Sequence, residues 1–198
     1  MTGRSAARPR LRSAAAWGVG IALLALASLL LRLVPTDAQS EQPFTVTAAV
    51  GEAAAARTFT VTVTGAELVD VLSAGEWRQP GNWLVIDLTV EGVGSDASSY
   101  LGRAAFVHEA GVGDDAQRRE YRASERFPSL VTDPLVTGVP RTGSIAFELP
   151  ADATGEGAVE LAQHGDTRLD SLVSVAVDLD ALERVPERAV RETGWERR

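Results

Sequence analysis

Apolar and polar side chains alternate along most of the chain beyond residue 57. Residues 58–64 read TFTVTVT, with Phe59, Val61 and Val63 on one face and threonines on the other. Residues 83–91 read WLVIDLTVE. Leu84, Ile86, Leu88 and Val90 point one way; Trp83, Val85, Asp87, Thr89 and Glu91 point the other. Residues 144–149 place Ile145, Phe147 and Leu149 on one face, and residues 172–179 do the same with Val173, Val175, Val177 and Leu179. A period of two is the pattern of a half-buried strand. Weaker alternation predicts strands at 66–72, 103–109, 120–123 and 158–163, with a first strand at 44–50.

Turn-forming residues separate these segments. Gln79-Pro80-Gly81-Asn82 precedes one strand, the run from Gly138 to Gly143 precedes another, Pro150-Ala151-Asp152 closes it, and His164-Gly165-Asp166 follows the next. Short alternating strands between such turns predict an all-β, immunoglobulin-like antiparallel sandwich of seven to eight strands over residues 57–182. Residues 183–198 (ERVPERAVRETGWERR) are polar and lack an apolar stripe, which predicts a frayed helix or a disordered tail.

The N-terminal pattern is different. Residues 14–31 form an 18-residue run without a charge. A helix needs about 20 apolar residues to cross a bilayer, and Arg32 can snorkel, so the expectation is a transmembrane helix over 14–34. Arg4, Arg8, Arg10 and Arg12 precede it and predict a cytoplasmic segment at 1–13, with the C-terminal domain outside. Residues 35–56 then read as a stalk carrying the first strand. A cleaved signal peptide is the alternative, giving a secreted domain, although its apolar region is usually about 7–15 residues. The chain has no cysteine. That excludes a lipobox, a disulfide, a thiol nucleophile and a cysteine metal site.

Charge narrows the function classes. All 19 basic residues are arginine, and five of them precede Thr36. The rest of the chain sets 27 acidic residues against the remaining 14 arginines, a balance of −13. Such a surface is repelled by nucleic acid, so no nucleic-acid partner is expected.

Three elements resemble a family of bacterial secreted, lipoprotein and membrane-anchored domains of unknown function with a telokin-like immunoglobulin fold. They are WLVIDLTV at 83–90, GVPRTGSIAFELP at 138–150 and SVAVDL at 174–179. The resemblance covers roughly residues 57–182. It implies the sandwich and brings no catalytic residue, because the family has none established.

Candidate chemistry is sparse. His108 and His164 are the only histidines, and the loop of His164, Gly165, Asp166 and Asp170 lacks a second imidazole for a metal. There is no GxSxG turn to support a serine triad. Asp87, Asp114 and Asp115 read as solvated acids, and Gly111-Val112-Gly113 lacks the strand–turn–helix setting of a phosphate loop. No enzyme activity, cofactor or metal is expected. Two surfaces stand out: Arg118, Arg119, Arg122 and Arg126 form a basic island suited to a partner surface, or to local pairing with nearby acids; Trp77 and Trp83 are candidate ligand aromatics. The reading is a membrane-anchored, extracytoplasmic, non-catalytic protein-interaction module of the cell envelope, whose partner is another envelope or membrane protein. The alternative is a small-ligand or cell-wall glycan-binding domain, favoured by an aromatic groove near the two tryptophans.

Overall fold

A computed structural model of the protein describes residues 9–33, 40–94, 100–110 and 117–195, with side chains at 17–30, 40–94, 100–108 and 117–195. Residues 1–8, 34–39 at the start of the stalk, 95–99, 111–116 (with Gly111, Gly113, Asp114 and Asp115) and 196–198 lie outside these ranges. The chain divides into two compact units, Met1–Gln42 and Pro43–Arg198.

The first unit carries one helix, α1 (Pro9–Leu33). Its described side chains run from Trp17 to Leu30 and are exposed. Among the described residues no helix is long and apolar enough to cross a membrane. This corrects the expected transmembrane helix at 14–34. It equally removes the support for insertion through that segment, for a single-pass protein with a cytoplasmic N-terminus, and for a membrane-anchored module.

The second unit is a two-sheet arrangement resembling an immunoglobulin-like sandwich. In chain order its strands are β1 (Phe44–Ala48), β2 (Ala53–Ala55), β3 (Phe59–Ala74), β4 (Trp77–Gly92), β5 (Arg103–Ala110) and β6 (Gln117–Arg122). They continue with β7 (Arg141–Leu149), β8 (Glu156–Ala162), β9 (Ser171–Asp178), β10 (Arg184–Val185), β11 (Arg188–Ala189) and β12 (Gly194–Trp195). One sheet has the order β1-β9-β8-β5-β6; the other has β10-β3-β4-β7-β12, with β2 and β11 also on β3. The described strands outnumber the seven to eight expected, and β1, β10 and β11 pair in parallel with their neighbours.

The alternating residues build the core between the sheets. Phe59, Val61 and Val63 from β3, Leu84, Ile86, Leu88 and Val90 from β4, and Ile145 and Phe147 from β7 meet Phe106, Val159, Leu161, Val173 and Val175 of the opposite sheet. Two segments expected apart, 58–64 and 66–72, are one strand. Irregularities between Val63 and Gly65 and between Val69 and Val71 break its alternation without breaking its pairing to β4. The second faces Pro80, so the Pro-Gly pair expected as a turn lies inside β4, where a bulge tolerates the missing donor. The turn itself is Gly75-Glu76, with Gly75 at φ +60°.

β4 is buried on both faces from Trp83 to Ile86. Its second face holds a smaller cluster of Val69, Leu72, Trp83, Val85, Phe127, Ala146 and Val190. The covering chain is the segment expected as a loose tail. It forms β10, β11 and β12, and Val190 N–H donates to Ser73 O at 2.8 Å. We call residues 184–195 the strap.

Candidate functional site

The strap is fastened by polar contacts as well as by Val190. Arg188 donates to Glu67 at 2.9 Å and to Asp87 at 2.5 Å. Ser144 Oγ donates to Asp87 at 2.5 Å and accepts from Arg191 N–H at 3.0 Å. Asp87, expected as a solvated acid, is therefore an anchor. Gly143 permits close approach here: a Cβ would lie 3.0 Å from the Leu130 side chain and 3.3 Å from Thr193 Cα. The 138–150 element thus carries its glycine where β7, the 123–140 loop and the strap converge.

A cavity of about 470 Å³ opens between the strap and the β3–β4 hairpin. Its apolar walls include Ala74, Pro128, Ala189 and Val190; Asp133, Glu192 and Thr193 supply its polar groups. The Thr193 hydroxyl oxygen is closed off even from the cavity and has no hydrogen-bond partner among the described residues. Asp133 accepts from Arg141 Nη2 at 3.1 Å, and the Arg141 guanidinium lies 4.7 Å from the Trp195 ring centroid. The sequence reading picked none of the cavity residues. The available signal was indirect: Trp83 and Val85 on the supposedly polar face of their strand indicate that something covers it.

Trp77 and Trp83 stand behind this cavity and do not line it. Trp83 is fully buried, and its indole N–H donates to Gln79 O at 3.2 Å. Trp77 packs edge-on against it at 5.8 Å and against Phe127 at 5.2 Å. They form no open aromatic groove.

The basic island is divided. Arg118 pairs with Glu160 at 2.7 Å, and Arg122 lies 3.7 Å from Glu120. Both belong to a chain of charges on the outer face of the five-stranded sheet, where Arg103 bridges Glu120 and Glu160 at 2.9 and 2.6 Å. Hydrogen bonding to Arg103 holds the Glu120 carboxyl below its ordinary pKa. Burial of Arg103 opposes its charge, but its bonds to both glutamates prevail and raise its pKa. Arg126 pairs with Glu148 at 2.9 Å and sits 6.0 Å from the Trp83 ring. Arg119 is exposed and joins no ion pair among the described residues. An open groove of about 570 Å³ runs past Tyr121, Arg122 and Arg126.

The histidines have separate roles. His108 is buried on β5, 2.6 Å from Thr154 O, and stacks on Phe106. His164 Nδ1 lies 2.9 Å from Asp170 Oδ2, while Asp170 Oδ1 accepts from Arg57 at 2.7 Å and from Ser171 N–H at 2.8 Å. The His164 contact is the main cause of the lowered pKa of Asp170, partly opposed by burial. Asp166 is held at about 2 by hydrogen bonds from Arg168. Among the described residues no serine hydroxyl bonds to either histidine, no catalytic constellation is found, and no cluster of three or more His, Asp or Glu could hold a metal.

No protein-family profile matches the chain. No curated protein matches it. Among solved structures it is similar to a Staphylococcus aureus protein described as a "putative lipoprotein", with TM-score 0.49 and 8% identity over 71% of this chain and 97% of that one. A likeness so distant carries no functional argument.

Proposed function

We propose that the sandwich is a non-catalytic binding domain for a small ligand, taken up in the cavity between Ala74 of the hairpin and Thr193 of the strap. One observation carries this reading: a cavity of roughly 470 Å³ between the hairpin and the strap sets apolar walls from Ala74, Pro128, Ala189 and Val190 beside the polar residues Asp133, Glu192 and Thr193. Small-molecule pockets fall in the range of about 300–1,000 Å³ and combine apolar walls with a few convergent polar groups. The finer kinship with the bacterial telokin-like family belongs to the same proposal and rests on the 138–150 element, which contains β7.

The test is a fragment screen followed by amide chemical shifts of the labelled full chain. Binding at this site moves the amides of Ala74, Ala189 and Thr193 together and saturably. A screen in which no compound moves them would overturn the reading.

A further inference from the structure

We infer that two copies of this chain associate edge to edge through β6, antiparallel, with the two-fold axis at Tyr121. The five-stranded sheet ends on this strand, which pairs only with β5 among the described residues. Its register with β5 is unbroken and it contains no proline, so it lacks two of the usual devices that spoil an edge. The Ala123 N–H donates to Ala104 O at 2.9 Å, one step beyond the Arg122–Ala105 pair. Antiparallel pairs alternate, so Arg119 and Tyr121 likewise turn their backbone groups toward β5. Arg118, Glu120 and Arg122 turn theirs to the open side. At Ser124 the chain has left the sheet, since its N–H donates to Ala146 O of β7 at 2.8 Å. An open row of backbone donors and acceptors therefore runs from Arg118 to Arg122. The association does not depend on the strap cavity.

Charge selects both the occupant and the register. β6 carries Arg118, Arg119, Glu120 and Arg122, and like charges directly opposite each other are destabilising. A two-fold axis at Arg118, Arg119 or Arg122 sets an arginine against its own copy. An axis at Glu120 sets that glutamate against itself and Arg118 against Arg122. An axis at Tyr121 sets no like charges opposite. Tyr121 then meets Tyr121, Glu120 meets Arg122 on both sides of the axis, and Arg118 meets Ser124. Both Glu120–Arg122 pairs exchange N–H···O=C bonds, because these residues have their backbone groups on the open side. Arg122 is 87% exposed and holds its own Glu120 only loosely, at 3.7 Å, so its guanidinium is free to reach across. The same axis brings Arg119 within two positions of Glu125 of the second copy, and neither joins an ion pair among the described residues. The groove of about 570 Å³ beside Tyr121 gives the second copy's side chains room. Its wall carries both signs, Arg122 and Arg126 with Glu120, Glu125 and Glu148. That suits a self-complementary two-fold surface better than a uniformly acidic partner.

Sedimentation equilibrium of the full chain should fit a monomer–dimer equilibrium, and the amides of Glu120 and Arg122 in the labelled chain should shift with protein concentration. Arg122→Pro deletes an outward donor without touching the β5 ladder, a place where an edge strand tolerates proline. It should leave the urea midpoint nearly unchanged and abolish the dimer. Arg122→Glu sets a carboxylate opposite Glu120 and should abolish it too, which keeps the test open if the proline variant fails to fold. Arg122→Ala should weaken association about two- to thirtyfold, the usual worth of two cross-strand pairs. The chain has no cysteine, so Tyr121→Cys supplies a single thiol. It faces its own copy at a non-hydrogen-bonded pair, within reach of a disulfide. In a thiol–disulfide buffer this variant should cross-link faster than Arg119→Cys. A chain that stays monomeric at all concentrations, a dimer unchanged by Arg122→Pro or Arg122→Glu, or equally fast cross-linking of Arg119→Cys overturns the proposal. So does a monomer whose β6 amides respond instead to an added extended acidic peptide, which would give the edge to another protein.

Discussion

Arg188 Nη2 meets Asp87 Oδ2 at 2.5 Å across a separation of 101 residues, and the pair ties the strap to the centre of the seven-stranded sheet. Both side chains are largely withdrawn from water, at 19% and 15% exposure. Asp87 also accepts from Ser144, whose hydroxyl receives the Arg191 amide. Removing the carboxylate therefore disturbs three contacts.

Asp87→Ala should destabilise the protein by about 2–4 kcal/mol, since a charge-assisted network loses its shared acceptor. The damage should begin locally. Hydrogen exchange at Val190 and Arg191 should accelerate before exchange in β3 and β4 does. Exchange rising uniformly across the sheet would mean that the strap has no separate opening.

Phe147→Ala should cost about 3–5 kcal/mol, because Phe147 is fully buried between the sheets with its ring centroid 6.4 Å from that of Phe106. Thr60→Ala, half-buried on the other face of its sheet, should cost much less. Comparable losses in urea midpoint would contradict the assigned faces.

Glu160→Gln should cost about 2–4 kcal/mol, since it strips a buried carboxylate from Arg103. Arg118→Ala removes an exposed member of the same chain of charges and should cost no more than about 1 kcal/mol. Arg118, at 62% exposure, can regain water; Arg103, at 16%, has less access to it. Urea titrations of the two variants check the order.

Asp170 supplies an acid-dependent term. Its folded pKa lies below the ordinary 3.8, so its stabilisation is present above that value and disappears as pH falls through the folded one. Asp170→Asn should lower the melting temperature at neutral pH and converge with wild type in strong acid. Asp166→Asn should do little at any pH, because the Asp166–Arg168 pair is exposed. A gap between Asp170→Asn and wild type that stays constant from neutral to acid pH would assign the residue a role independent of its charge.

The legible parts of the sequence were those whose partners impose a simple period. Phe59, Val61 and Val63, and Leu84 through Val90, have one core face, and alternation locates them. β3 was hidden as a continuous strand because its irregularity after Val63 resets the alternation. The Pro80 position was misread because its acceptability depends on a bulge in β4, where Gly81 and Asn82 stand opposite the single Asp70 of β3. The strap was illegible for a related reason. Val185, Val190 and Trp195 recur every five residues, which suits neither strand nor helix, and Arg188 owes its place to Glu67 and Asp87 far upstream. The cavity is bounded by that strap, so its residues could not be grouped from local pattern. The arginine island was visible as composition, but its division among Glu160, Glu120 and Glu148 arises only from sheet registration.

The position of the strap in the chain also sets a schedule. Trp83 leaves the ribosome about a hundred residues ahead of Val190, an interval of roughly 5–20 s at ~5–20 residues per second. Throughout it, the hairpin of β3 and β4 has an aromatic surface with no cover of its own. Nascent chains are therefore most prone to stick to one another, or to recruit a chaperone, in this window, and slowing translation over the codons between 150 and 184 should lower the soluble yield without altering the finished protein.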